Sequence, residues 1–199
     1  MKRLLILTAP IFLLFSAFGP STEVRQFKYE VLLDGRPIGI YNVNRMESNG
    51  TDNFKVETNT AAGLIRRSEH RSLMLSSYKD SKLISSQYKT WVNEKLETTC
   101  ALHWDGNQYV RQEGDELTEI CNQMVSYSSA CIYFEEPKGQ SKLFYEQYGQ
   151  ELELRPIGEH QYEVNLPNGA LERFTYENGK AVRVDMVKSF TTISLKLAS

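Results

Sequence analysis

Glu151 and Glu153 stand two residues apart. On a strand that spacing puts both side chains on one face, with Cα atoms about 6.6 Å apart. Two carboxylates so placed could act as acid and nucleophile of a retaining glycosidase. Leu152 and Leu154 take the opposite face, however, and the simplest reading turns the glutamates to water. Glu135 and Glu136 are adjacent, so they diverge on a helix and point to opposite faces of a strand, and cannot converge on one bond. Cys100 and His103 have a metal-like spacing, but i and i+3 face opposite ways on a strand, and no second cluster supplies the missing ligands. His160 shares parity with Tyr162 and Val164, which turns it inward near a sheet rim. There it either bonds the preceding Gly158 loop or lines the mouth of a cavity. Ser126, Ser128 and Ser129 lack a Gly-x-Ser-x-Gly elbow, and no Gly-rich phosphate loop occurs. The expectation is no catalytic residue, no metal and no cofactor.

The three cysteines leave two readings open. In an oxidising compartment they would give one bridge and one spare thiol, and Cys121 and Cys131 could meet if the chain folds back between them. Alternatively all three are reduced and buried. Arg66, Arg67, His70 and Arg71 form the densest basic patch, suited to an anionic head group or a polysaccharide, although the interspersed Glu69 favours a solvated face. Asn49-Gly-Thr51 matches a glycosylation acceptor and marks an exposed turn.

Turn signals recur at short intervals: Asp34-Gly35, Asn49-Gly50, Asp80-Ser81, Asn93-Glu94, Asp105-Gly106, Gly114-Asp115, Tyr148-Gly149, Gly158-Glu159, Asn168-Gly169 and Asn178-Gly179. Asn-Gly and Asp-Gly take the positive φ that two-residue hairpins demand. Between the turns apolar residues alternate with polar ones, as at Phe27, Tyr29 and Val31, at Tyr162, Val164 and Leu166, at Val182, Val184 and Met186, and at Ile193, Leu195 and Leu197. This is the period of half-buried antiparallel strands. About a dozen are expected, in an all-β, mainly antiparallel fold. A meander of that size is expected to curl into a barrel or half-barrel rather than stay open. The stretch 123–134 carries no Gly or Pro, and Glu135-Glu136-Pro137 gives a stop, which predicts one short helix near 123–135 laid over the sheet. Alternation also suits an outer-membrane barrel, but the short strands between Gly149 and Gly179, with charges in mid-strand, argue against it.

Met1-Lys2-Arg3, an apolar run to Phe15 and small residues to Ser21 read as a secretory signal peptide over 1–21. Residues 22–199 then form one antiparallel domain, with no second apolar run long enough to cross a bilayer as a helix. A formal charge of -2, from 23 Lys and Arg against 25 Asp and Glu, gives no footprint for nucleic acid.

Several segments together resemble a known family. They are Tyr29-Glu-Val with Asp34-Gly-Arg-Pro-Ile-Gly39, Tyr133-Phe-Glu-Glu-Pro137 with Gly139, and Glu146-Gln-Tyr-Gly149. Gly158-Glu-His-Gln-Tyr-Glu-Val164, Leu166-Pro-Asn-Gly169 and Tyr176-Glu-Asn-Gly-Lys180 follow in the same order. They are similar to a family of exported bacterial proteins classed as a domain of unknown function. The middle of the chain, Thr51 to Met124, matches it loosely, and the cysteines lie outside its pattern. The resemblance implies an exported β-rich domain and no activity.

Abundant aromatics, 9 Phe and 11 Tyr, in a curled sheet without a catalytic cluster suggest a carrier or binding module for an apolar or lipid-like ligand. The residues expected near that ligand are Tyr133, Phe134, Glu135, His160 and Tyr162. The protein is expected to be exported, to the periplasm or the extracellular space, with a site peripheral to the outer membrane as one option. One alternative is an envelope interaction protein that binds a protein or glycan through its sheet surface; another is a glycan hydrolase built on Glu151 and Glu153.

Overall fold

The computed structural model describes residues 22–63, 68–121 and 123–198. The expected signal peptide and the Arg66-Arg67 pair lie outside the described residues. The first eight strands are β1 (Glu23–Leu33), β2 (Arg36–Ser48), β3 (Thr51–Ala62), β4 (Ser68–Lys79), β5 (Lys82–Val92), β6 (Lys95–Trp104), β7 (Tyr109–Glu113) and β8 (Glu116–Glu119). Then come β9 (Lys142–Tyr145), β10 (Gln150–Gly158), β11 (Gln161–Asn165), β12 (Leu171–Glu177), β13 (Lys180–Lys188) and β14 (Thr191–Leu197).

Turn chemistry sets the meander. Asp34, Asn49, Asp80, Asn93 and Asn178 all adopt positive φ, and Gly or another positive-φ residue follows each. These tight hairpins pair each strand antiparallel with the next. All 14 strands join one sheet, in the order β8-β7-β6-β5-β4-β3-β2-β1-β14-β13-β12-β11-β10-β9. β8 and β9 end the order and share no ladder, so the sheet does not close by hydrogen bonding.

It curls nonetheless. Arg111 on β7 donates to the carbonyl of Gln147, between β9 and β10, at 3.3 Å, and Ser76 on β4 reaches the Glu146 carboxylate at 3.3 Å. In a flat sheet, at about 4.8 Å per strand, β7 and β10 would lie roughly 50 Å apart. The result is barrel-like, with the β9–β10 turn nested against β7 and the chain that follows β8. A Cβ on Gly149 would stand 2.5 Å from Ile120 Cδ1 and 2.9 Å from Arg111 Cδ.

Alternation sorts the faces. On β1, Tyr29 and Val31 are buried while Lys28 and Glu30 are exposed; on β12, Phe174 and Tyr176 are buried while Arg173 is exposed. On these strands the charges fall mainly on the outer face, unlike the apolar outer face of a membrane-spanning barrel, with Glu172 on β12 the inward exception. The polarity carries this argument better than strand length does, because β1 to β6 run 10–13 residues, longer than the sequence spacing of the C-terminal half suggests. Among the described residues no helix is long and apolar enough to cross a membrane.

Gly39 marks a close approach of two strands. An ideal Cβ there would sit 2.0 Å from the Asn59 carbonyl oxygen and 2.7 Å from Thr60 Cα, both main chain of β3. The ladder cannot step aside without losing its register. Gly39→Ala is expected to cost about 2 kcal/mol, read as a lower denaturant midpoint at unchanged slope; an unchanged midpoint would contradict the close packing.

The predicted helix near 123–135 does not form. Residues 128–134 make a bridge and successive turns. Val125, Ser128 and 130–134 are buried, so the segment has no single apolar stripe to lay on a sheet and instead threads the interior. Its carbonyls are claimed by the wall: Ile132 O accepts Tyr176 OH at 2.8 Å, Tyr133 O accepts Ala181 N at 3.3 Å, and Phe134 O accepts Arg25 at 3.3 Å. Ser128 pairs with Phe144 in a parallel bridge, and Ser129 N donates to Phe144 O at 2.8 Å. With those groups engaged, helical i to i+4 bonding cannot propagate.

Candidate functional site

The threaded segment does not fill the interior. It leaves a cavity of about 380 Å³, lined by the inward residues of many strands together with Ser129, Ile132 and Tyr133 of the segment. Val31, Val56, Met74, Phe174, Val184 and Leu195 form an apolar wall. Tyr41, Tyr88, Tyr133, Tyr145 and Tyr148 add aromatic rings. Tyr41 and Tyr133 lie 5.3 Å apart between ring centres, and their hydroxyls bond at 2.5 Å. Tyr145 and Tyr148 are 6.1 Å apart.

One acid lines this space. Glu172 follows the parity of Phe174 and Tyr176 on β12 and is therefore turned inward, opposite Val164 and Met186 on the flanking strands. It is 7% exposed, and Tyr145 OH donates to its Oε2 at 2.5 Å. Burial pushes its carboxyl up to about 7, against the lowering effect of that hydrogen bond.

A second buried acid pins the segment that forms the cavity wall. Glu146, 1% exposed, sits in the β9–β10 turn. Its carboxylate accepts hydrogen bonds from Ser128 Oγ, from Ser129 Oγ at 2.5 Å, from Ser76 Oγ at 3.3 Å and from Ala130 N at 3.3 Å. Tyr78 OH bonds Ser128 in turn. Burial raises the Glu146 carboxyl, and the serine and backbone donors offset part of that rise.

The structure divides the residues singled out from sequence. Tyr133 lines the cavity. Phe134 points to the other side of the segment, packed on Phe27 at 5.2 Å and Phe54 at 5.7 Å. Glu135 is exposed. His160 is not inward: it occupies a positive-φ turn position, is exposed, and its Nδ1 lies 2.9 Å from Glu136 Oε1. Tyr162 donates to the same carboxylate oxygen at 2.9 Å. Burial pushes the Glu136 carboxyl up, but its bonds with His160, Tyr162 and Lys138 outweigh that and hold it below its ordinary range. This cluster lies where the segment leaves the interior, and none of its members lines the cavity.

Of the two cysteine readings, the structure holds all three as free thiols, with no bridge between Cys121 and Cys131. Cys131 enters the buried segment, where burial pushes its thiol up to about 11, while Cys121 stays nearer the surface, with its Sγ 3.6 Å from Gln123 O. Cys100 is buried opposite Glu113 and His103 is exposed. Among the described residues no group of three His, Cys, Asp or Glu could hold a metal. Glu151 and Glu153 are exposed, and Glu151 pairs with Lys142 at 2.8 Å, as the water-facing reading expects. Arg71 stacks 4.0 Å over Trp91 on the outer face.

Sequence reasoning passed over Glu172, Glu146 and four of the tyrosines. The signal for Glu172 was present, since a charged residue in step with Phe174 and Tyr176 must either be buried or shift the register.

No curated protein matches the chain. Among solved structures, it is similar to a beta-barrel-like protein of the domain of unknown function DUF1849 from Brucella abortus, with a TM-score of 0.52 at 11% identity, over 90% of this chain and 96% of that one. The two share a fold. Residues 29–198 match the family described as domain of unknown function DUF6134, and the chain belongs to that family.

Proposed function

We propose that this protein is an exported, non-catalytic binding module that holds an apolar or lipid-like molecule inside its barrel. The observation that carries the reading is the cavity of about 380 Å³, walled by aliphatic and tyrosine side chains, within the range of small-molecule sites. The polarity of the strands supports a module whose interior, rather than its outer surface, takes the apolar ligand. The basic, apolar and small-residue pattern of 1–21 supports a place in the cell envelope.

Native mass spectrometry of the protein purified gently from its host tests this. The expected result is an adduct that organic solvent releases and that Met186→Trp, which fills the cavity from β13, abolishes. A clean apo mass that persists after incubation with envelope lipids would overturn the reading and favour a surface-binding envelope protein.

A further inference from the structure

The lining of the cavity is one-sided in charge. Among the described residues that line it there is no Lys, Arg or His, and Glu172 is the sole carboxylate. That carboxylate is more than nine-tenths buried. Tyr145 satisfies Oε2, while no described residue donates to Oε1, and Oε1 is not sealed from the cavity that Glu172 lines. The same cavity is lined by the rings of Tyr41, Tyr88, Tyr133, Tyr145 and Tyr148, of which Tyr145 touches the carboxylate. Aromatic faces attract cations, most strongly where water is excluded, and a ring cluster beside a carboxylate is the arrangement that recognises ammonium groups. An anionic head group would instead face a desolvated carboxylate with no counter-cation.

Resting on the reading of this cavity as the binding site, we propose that the polar end of its ligand is a cation of the alkylammonium type, seated against Glu172 among the tyrosine rings. The alkyl body runs along the wall of Val184 and Leu195. Tyr145 is a positioning residue that fixes one carboxylate oxygen and leaves the other for the ligand.

The test compares decyltrimethylammonium, decanoate and decanol, each below its micellar concentration, by calorimetric titration of the unmodified protein and of Glu172→Gln. The ammonium compound is expected to bind at least about tenfold more tightly than decanoate at pH 8. Glu172→Gln should erase that preference while keeping decanol within about twofold. A pH series on the unmodified protein gives a second readout that needs no variant. The tyrosines of the lining have hydroxyls held above their usual range by burial, Val164 and Met186 on the flanking strands carry no charge, and the Glu146 carboxylate is engaged by Ser129. Glu172 is thus the lining group that changes charge near neutrality, and ammonium binding should strengthen about tenfold from pH 5.5 to pH 8. Decanol binding with equal or weaker ammonium binding would overturn the cation proposal and leave the apolar cavity standing. Failure of all three compounds would overturn both.

Discussion

Glu146→Ala is expected to lower the free energy of unfolding by about 4 kcal/mol. The truncation takes the acceptor from Ser129 Oγ, leaves the Ala130 amide with Ser128 Oγ alone at 3.2 Å and Ser128 with Tyr78 alone, and opens a void where the carboxylate stood in a region that is almost wholly buried. Each buried polar group left unsatisfied costs about 1–3 kcal/mol, and loss of the buried charge offsets part of the total. Glu146→Gln keeps an acceptor oxygen and the volume, so it should cost only about 1–2 kcal/mol. Urea unfolding at neutral pH measures both. If Glu146→Ala lost less than about 1 kcal/mol, the carboxylate would not be what holds the segment in place. The effect reaches the cavity as well, because Ser129 and its neighbours Ile132 and Tyr133 form part of its wall. Loosening them should weaken ligand capture in the same variant, and hydrogen exchange at the Ala130 amide should rise from the protected to the exposed class.

The architecture was legible where local chemistry decides it. Asp34-Gly35, Asn49-Gly50 and Asn178-Gly179 require positive φ and deliver it, and the alternation at Tyr162, Val164 and Leu166 matches their burial. The Ser189-Phe190 turn between β13 and β14 was missed, because Ser189 takes positive φ without the usual Asn, Asp or Gly. The stretch 123–135 was misread for a different reason. Its composition tolerates a helix, and what overrides that tolerance is tertiary: Tyr176, Ala181 and Arg25 capture its carbonyls from distant strands. No local pattern encodes such captures. His160 failed for a similar reason, since parity counted from Tyr162 ignores that the turn itself contains His160 at positive φ. Tyr133 was legible as part of the Tyr133-Phe-Glu-Glu-Pro137 segment, whereas Glu172, which faces the same cavity, has no partner acid on its face of the strand to mark it.

Between pH 4.5 and pH 8 the unmodified protein is expected to lose about 3 kcal/mol more stability than Glu172→Gln. The carboxyl of Glu172 is raised from an ordinary 4.5 to about 7 in the folded chain, chiefly by burial. The native state therefore holds a proton that the unfolded state releases at lower pH. That contribution is fully present below about 4.5 and is lost as pH rises through about 7, so stability falls with pH instead of rising as it does for a salt-bridged carboxylate. Glu146 is raised in the same direction and contributes its own slope in both proteins. The comparison with Glu172→Gln isolates the cavity acid, since Gln keeps an acceptor for Tyr145 OH and removes the charge. Chemical unfolding at several pH values gives the two slopes. Parallel slopes would mean that Glu172 is hydrated through the cavity mouth, and a hydrated carboxylate would draw a cation far less strongly. A saturating ammonium ligand should flatten the slope of the unmodified protein alone, because a bound cation returns the Glu172 carboxyl toward its ordinary range. Charge in the cavity, stability and binding are then three readings of one buried proton.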